Sequence, residues 1–395
     1  MSTKIGIGFS RQRDGQQAAR EAALHSKAQL ESNRVDFALV LITGHYDPRA
    51  ALAVINDILR GARVIGSSTI GIILSGSIEP RGIGVLTITS DDMKFGTGAA
   101  EHLDGVNTPK AGTELARQCL ENFGEHGRQV FLCFVDSRLQ NVSPLVQSLQ
   151  ASLGSVFPVI GAGSCHQLRP QDMFQIHRQQ VMTNAVSGVV IGGHMGVGVG
   201  SRHGWRPLGK PRFITQASGN IIQTIDGRPA YGIYEEFFGD QAGRLRSSHP
   251  GQMAILYPLG IFLEESGNYL LRNAVDILQD GGIVCQGNIP PKAQVHVMIG
   301  NKDSCKQAAR QAAEEARQAL RGKDPKLVLV LESMARLKLL GRMAFQEVQK
   351  IKEVFGQGVP VIGMYGNGEI SPMQSTERFK RPHFQNESIV ILAIS

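Results

Sequence analysis

At 395 residues the chain is too long for one ordinary core, and two or three domains are expected. Its 42% hydrophobic and 19% charged residues exclude a disordered chain. A net charge of +7, without a basic stripe interleaved with aromatics, argues against a nucleic-acid binder.

The first strand is expected at IGIGFS from Ile5. A helix over 14–31, a strand FALVLI from Phe37, a helix over 48–60, the run RVIGSSTIG from Arg63 and a closing strand IGVLTIT from Ile83 follow. The same order returns as KFGTGA, a helix over 109–125, QVFLCFV, a helix over 143–153, FPVIGAGSC and SGVVIGG. It returns a third time as VHVMIG, a helix over 303–321, LVLVLES, a helix over 342–355, VPVIGMYGNGEI and SIVILAIS. Each copy reads β-α-β-α-β-β, marked by Val-Ile-Gly at 64–66, 159–161 and 361–363. Runs such as LVLVL show no alternation, so those strands should be buried on both faces beneath helices. The expected fold is therefore α/β, with mixed sheets built from repeated β-α-β-α-β-β units.

A different stretch, about 195–292, separates copies two and three. It holds Trp-Arg-Pro-Leu-Gly at 205–209 and a hairpin pattern from Ser218 with Asp226-Gly227 as its turn. A short helix over 231–238, an apolar strand around 253–262 and a second turn at 280–282 follow. The expected domains are 1–200, with two units, and 201–395, with the insert and the third unit. No low-complexity linker divides them, so they should share an interface. Basic runs at 202–212 and 378–381 read as solvated loops, with docking on an acidic protein as the alternative.

Five cysteines without a CxxC pair encode neither a disulfide framework nor a zinc site. The start of the chain lacks a signal-peptide run, and no window approaches 18 apolar residues. No membrane insertion is expected, and a reducing cytoplasm is the expected compartment. No GxSxG elbow, Walker loop or HExxH is present, and no full GxGxxG lies between a strand and a helix. Cys165-His166 is an adjacent pair, and chain neighbours rarely face each other as nucleophile and base. The expectation is a protein that is not an enzyme.

Several motifs in order carry a family resemblance: Gly-His-Tyr-Asp at 44–47, VIGSSTIG at 64–71, RPLG at 206–209 and the GN…DGRPA run at 219–230. YPLG at 257–260, MAR…LGR at 334–342, VIGMYGNGEI at 361–370 and FQNES at 384–388 complete the set. Together they resemble a FIST-domain protein, with FIST-N and FIST-C regions over almost the whole chain. The resemblance implies a sensory module for small molecules such as amino acids, signalling through a separate partner such as a histidine kinase. It also implies a second reading, because some FIST proteins resemble haem-binding nitric-oxide sensors. Ser67, Ile72 and Ser333 stand where the family more often has Cys, an acidic residue and Cys.

Ligands in α/β proteins sit beyond the carboxyl ends of strands, which points to the turns after the Val-Ile-Gly strands. These supply Ser67, Ser68, Thr69, Ser164, Tyr365, Asn367 and Glu369. Their hydroxyls and backbone N–H groups suit a carboxylate, and Arg336 would add a two-pronged hydrogen bond. The structural alternative is that the hydroxyls cap helices or brace turns and that Arg336 is an ion-pair partner. For haem, the candidate axial ligands are His177, His45 and His166. A third reading is an interaction scaffold using the basic loops near Arg202 and Arg378.

Overall fold

The computed structural model describes residues 3–139, 141–167, 169–243, 256–373 and 381–395. Three six-stranded sheets share one strand order. In the first, Lys4–Ser10 lies beside Ile83–Thr89, then Phe37–Thr43, then Arg63–Thr69. The second runs Met93–Glu101, Ala185–Gly193, Arg128–Val135, Val159–Gly163. The third runs Val197–Arg202, Ile389–Ile394, Leu327–Ser333, Val361–Gly366.

Each sheet is finished by a hairpin from another unit. Gln175–His177 and Gln180–Met182 join the first sheet, Ile72–Leu74 and Ile78–Glu79 the third, and Glu369–Pro372 and Pro382–Gln385 the second. The exchange runs round a ring, so every unit is completed by a neighbour.

The apolar strands have two buried faces because each sheet packs on both sides. Leu39, Leu41, Leu132, Phe134, Leu329 and Leu331 turn inward to one core common to the three sheets. Ala38, Val40 and Ile42 turn outward beneath the helices Gly15–Ala28 and Pro48–Ile58, and the other two sheets repeat this.

The first strand of each unit carries Gly-x-Gly at 6 and 8, 96 and 98, or 198 and 200. These glycines let the following helix touch the strand backbone: a Cβ on Gly198 would fall 1.8 Å from the Ala316 carbonyl, and one on Gly8 1.9 Å from that of Ala22. Small residues on both sides remove the gap between helix and sheet.

The third unit is interrupted. Its first strand was expected at VHVMIG, but Gln294–Gly300 pairs with Trp205–Ser218 and Leu259–Leu263 in the insert's own eight-stranded sheet. The strand that pairs with Ile389–Ile394 is Val197–Arg202, on the other side of the insert, and the expected boundary near 200 falls inside it. The chain also turns helical sooner than the expected 342–355: Met334–Leu340 is a helix, N-capped by the Ser333 hydroxyl, and Phe345–Phe355 follows it. The insert's Asp226-Gly227 turn forms as expected, closing Ile225 against Arg228. The basic run at 202–212 is mostly strand, not loop; Arg202 pairs with Glu315, and Arg212 with Glu236. Residues 378–380 of the second basic run lie outside the described residues.

Candidate functional site

The structure brings the three Val-Ile-Gly strand ends together. Thr69 Oγ1 donates to the Tyr365 carbonyl at 2.8 Å, the Cys165 N–H to the Ser68 carbonyl at 3.1 Å, and the Asn367 N–H to the Gly163 carbonyl at 3.1 Å. Each bond joins a different pair of units. The corners are packed against one another, and Ser67, Ser68, Thr69, Ser164, Tyr365 and Glu369 are fully buried, while Asn367 is half-buried.

The serine and threonine hydroxyls are used internally, whereas the buried Tyr365 hydroxyl has no hydrogen-bond partner among the described residues. Ser67 Oγ donates to the Ser68 carbonyl, Ser68 Oγ accepts from the Phe174 N–H at 3.1 Å, and Ser164 Oγ donates to the Gln175 side-chain oxygen at 2.9 Å. The Ser164 and Tyr365 N–H groups donate to Val135 and Gly71 carbonyls. In this structure the serines and Thr69 brace the corners.

Arg336 is equally enclosed, at 0% exposure. It sits four residues beyond Glu332, donates to that carboxylate at 3.3 Å and to Glu347, and also holds the carbonyls of His203, Glu387 and Cys305. Glu369 accepts from the Ser388 N–H at 3.1 Å and its hydroxyl at 2.8 Å. Two carboxylates on one guanidinium in a dry interior cannot both ionise cheaply, and burial raises Glu332 well above the usual carboxylate range, with Glu347 beside it adding to the rise. Glu369 is raised by burial, and Glu387 is pushed up to about 8. Sequence reading picked out Arg336, Tyr365 and Glu369 but missed Glu332, Glu347 and Glu387. The available signal was a charged Glu332 at the end of an otherwise apolar strand, close in sequence to Arg336.

An open groove lies elsewhere. A groove of about 860 Å³ is bounded by the end of the strand Met93–Glu101, by one face of the helix Thr108–Phe123 and by the hairpin at 175–182. His177 lines it, with Arg178, Lys110, His102, Glu101 and Gln118. None of the eight residues expected at the corners does.

His177 Nε2 lies 3.3 Å from Thr97 Oγ1, and burial, with Arg178 adding, lowers its pKa to about 4, so the imidazole is neutral at pH 7. Arg178 (φ 55°) and His102 (φ 59°) both adopt left-handed backbone. Arg178 opens the two-residue turn that closes His177 on Gln180, a place that favours glycine, and a side chain there costs on the order of 1 kcal/mol. Such strain concentrates at ligand clamps.

The other two histidines stand apart from the groove. His45 Nδ1 is 3.1 Å from Thr43 Oγ1; Asp47, and not His45, caps the helix Pro48–Ile58. His166 accepts from the Arg169 N–H and lies against Gly44, where a Cβ would meet its Nε2 at 2.3 Å. Burial pushes the Cys165 thiol up to about 12, so it is no nucleophile at neutral pH. Among the described residues, no helix is long and apolar enough to cross a membrane, and no cluster of His, Cys, Asp and Glu could hold a metal ion.

A model of the FIST N domain matches residues 36–228, and a model of the FIST C domain matches residues 230–372. An uncharacterized protein of Mycobacterium tuberculosis (strain ATCC 25618 / H37Rv) is 24% identical over 376 residues, covering 94% of this chain and 95% of its own. An uncharacterized protein of Mycobacterium bovis (strain ATCC BAA-935 / AF2122/97) is 24% identical over 379 residues, 94% of each chain. Among solved structures, cyanuric acid hydrolase from A. caulinodans aligns over 100% of this chain and 99% of its own, with a TM-score of 0.40 and 8% identity. A likeness that slight carries no argument about activity.

Proposed function

Because this chain belongs to the FIST family, whose domains are recognised as sensory modules, we propose that it binds a small polar, amino-acid-like ligand in the groove beside His177. The occupied state would act on a separate signalling partner such as a histidine kinase, in the cytoplasm, where its free thiols stay reduced. The observation that carries the reading is the groove itself. It is large enough for a metabolite, lined by groups of both charges, and edged by two strained non-glycine residues. The hairpin on its wall belongs to the second unit in sequence and to the first sheet in space, so a ligand held there bears on two units at once.

A thermal-shift screen against amino acids, short peptides and related acids tests this. A ligand at 100 times its dissociation constant adds about 2.7 kcal/mol of stability. His177→Ala and Arg178→Ala should abolish the shift, and a broad library without any stabilising compound would sink the proposal.

Haem is the second reading, favoured by one observation: of the three candidate histidines, His177 alone lines the groove, with its imidazole neutral and able to ligate. Purified protein should then show a Soret band that His177→Ala removes and His45→Ala and His166→Ala leave. Failure to take up added haemin rules this reading out.

A further inference from the structure

We infer that the ligand of this groove is a short extended peptide with acidic groups at both ends, laid as an added strand along residues 99–101. The inference rests on the reading of the groove as the sensory site and specifies what fills it.

Shape comes first. The helix and its N-cap contribute Asn107, Lys110, Ala111, Glu114 and Gln118, positions that fall on one face, the last lying eleven residues beyond the first. At 1.5 Å per residue the groove is about 16 Å long, the length of roughly five residues of extended chain. A free amino acid reaches only one end.

One wall is a sheet edge. Met93–Glu101 is the terminal strand of its sheet and pairs on one side with Ala185–Gly193. Asn122 Nδ2 donates to the Thr97 carbonyl and Gln118 Oε1 accepts from the Ala99 N–H, each at 3.1 Å. Residues 97, 99 and 101 therefore turn their backbone groups away from the partner strand, as alternate residues of an antiparallel ladder do. Two helix side chains serve the inner part of this edge. Among the described residues no side chain meets the Ala99 carbonyl or the backbone groups of Glu101, which can receive a strand.

Charge sets the ends. Thr97 lies by Asn122 and Ala99 by Gln118, so helix and strand run in opposite directions. Arg178 donates to Asn122 Oδ1 at 3.3 Å and marks one end, while Lys110 and His102 mark the other. Between them Glu114 is held by Arg117 and Gln118, leaving Glu101 as the charge at mid-groove, which disfavours an acidic centre. The complement is acidic at both ends, with small neutral residues between.

The test is fluorescence anisotropy on the full chain with a labelled Asp-Ala-Ala-Ala-Asp peptide, its Lys-ended counterpart, and a form N-methylated at the central residue. The acidic peptide should bind at least tenfold tighter than either of the others, because N-methylation removes the strand-forming donor without touching the protein. Arg178→Gln and Lys110→Gln should each weaken it five- to tenfold, with thermal melts confirming that both variants fold. Equal binding of the three peptides overturns the inference. Free amino acids that saturate the groove while the peptide fails to bind also overturn it, and leave the sensory-site reading in place. Binding of neither kind overturns both.

Discussion

Replacing Glu387 with Gln tests whether a neutral carboxyl group is stored in the interior. Glu387 is 0% exposed, and burial pushes its pKa from 4.5 up to about 8, with the Asn273 side chain and the Arg336 and Lys338 charges pulling the other way without offsetting the loss of water. Between those two values the unfolded chain releases the proton and the folded chain keeps it. Each pH unit in that window therefore costs the fold about 1.4 kcal/mol. The stabilising contribution is fully present below pH 4.5 and is lost as pH rises through 8, roughly 4–5 kcal/mol across the window. An amide does not titrate, and Gln keeps the shape and the left-handed backbone at φ 61°. Urea unfolding of wild type and Glu387→Gln at pH 5 and pH 8.5 should thus diverge. The variant should gain about 4 kcal/mol relative to wild type on going to the higher pH. Parallel stability curves across that range would refute the reasoning.

Arg336→Met should lower stability by about 3–5 kcal/mol in the same assay, since it strands two buried carboxyl groups; Arg336→Lys should not restore it, because one ammonium cannot reach five acceptors. Gly198→Ala should destabilise by at least about 2 kcal/mol, read from thermal melts, because the Cβ would collide with the Ala316 carbonyl. Gly227→Ala meets no neighbour; only its left-handed φ of 74° opposes it, so its loss should be nearer 1 kcal/mol. All five thiols are buried. Titration with a thiol reagent should find them unreactive in the native protein and all five reactive in denaturant, and a fast native thiol would contradict the packing at Cys165.

Much of the architecture was legible because it is written in local patterns. Unbroken apolar runs such as LVLVL can only be strands covered on both faces, and the Asp226-Gly227 pair has few conformations other than a tight hairpin turn. The α/β class followed from those patterns, and the family resemblance from the ordered motifs between 44 and 388. The first strand of the third unit was missed because apolar residues at Gln294–Gly300 are as strand-like as those at Val197–Arg202. The discriminating mark was Gly-x-Gly at 198 and 200, which the first strands of the other two units also carry. That mark reports a helix touching a strand backbone, which is visible only in three dimensions.

The side chains around the two sites divide along the same line. Residue type and spacing determined which groups were polar in an apolar setting, among them Ser67, Ser164, Arg336, Tyr365 and Glu369. Whether those groups face a ligand or each other depends on what lies across from them, and chain order says nothing about that. Only the exchange of hairpins between units decided it. The exchange turned the strand corners inward on one another and opened the groove at His177, between a helix and a hairpin more than fifty residues apart in sequence. Strand pairing is a long-range choice made by the summed fit of whole faces, so no local pattern encodes it.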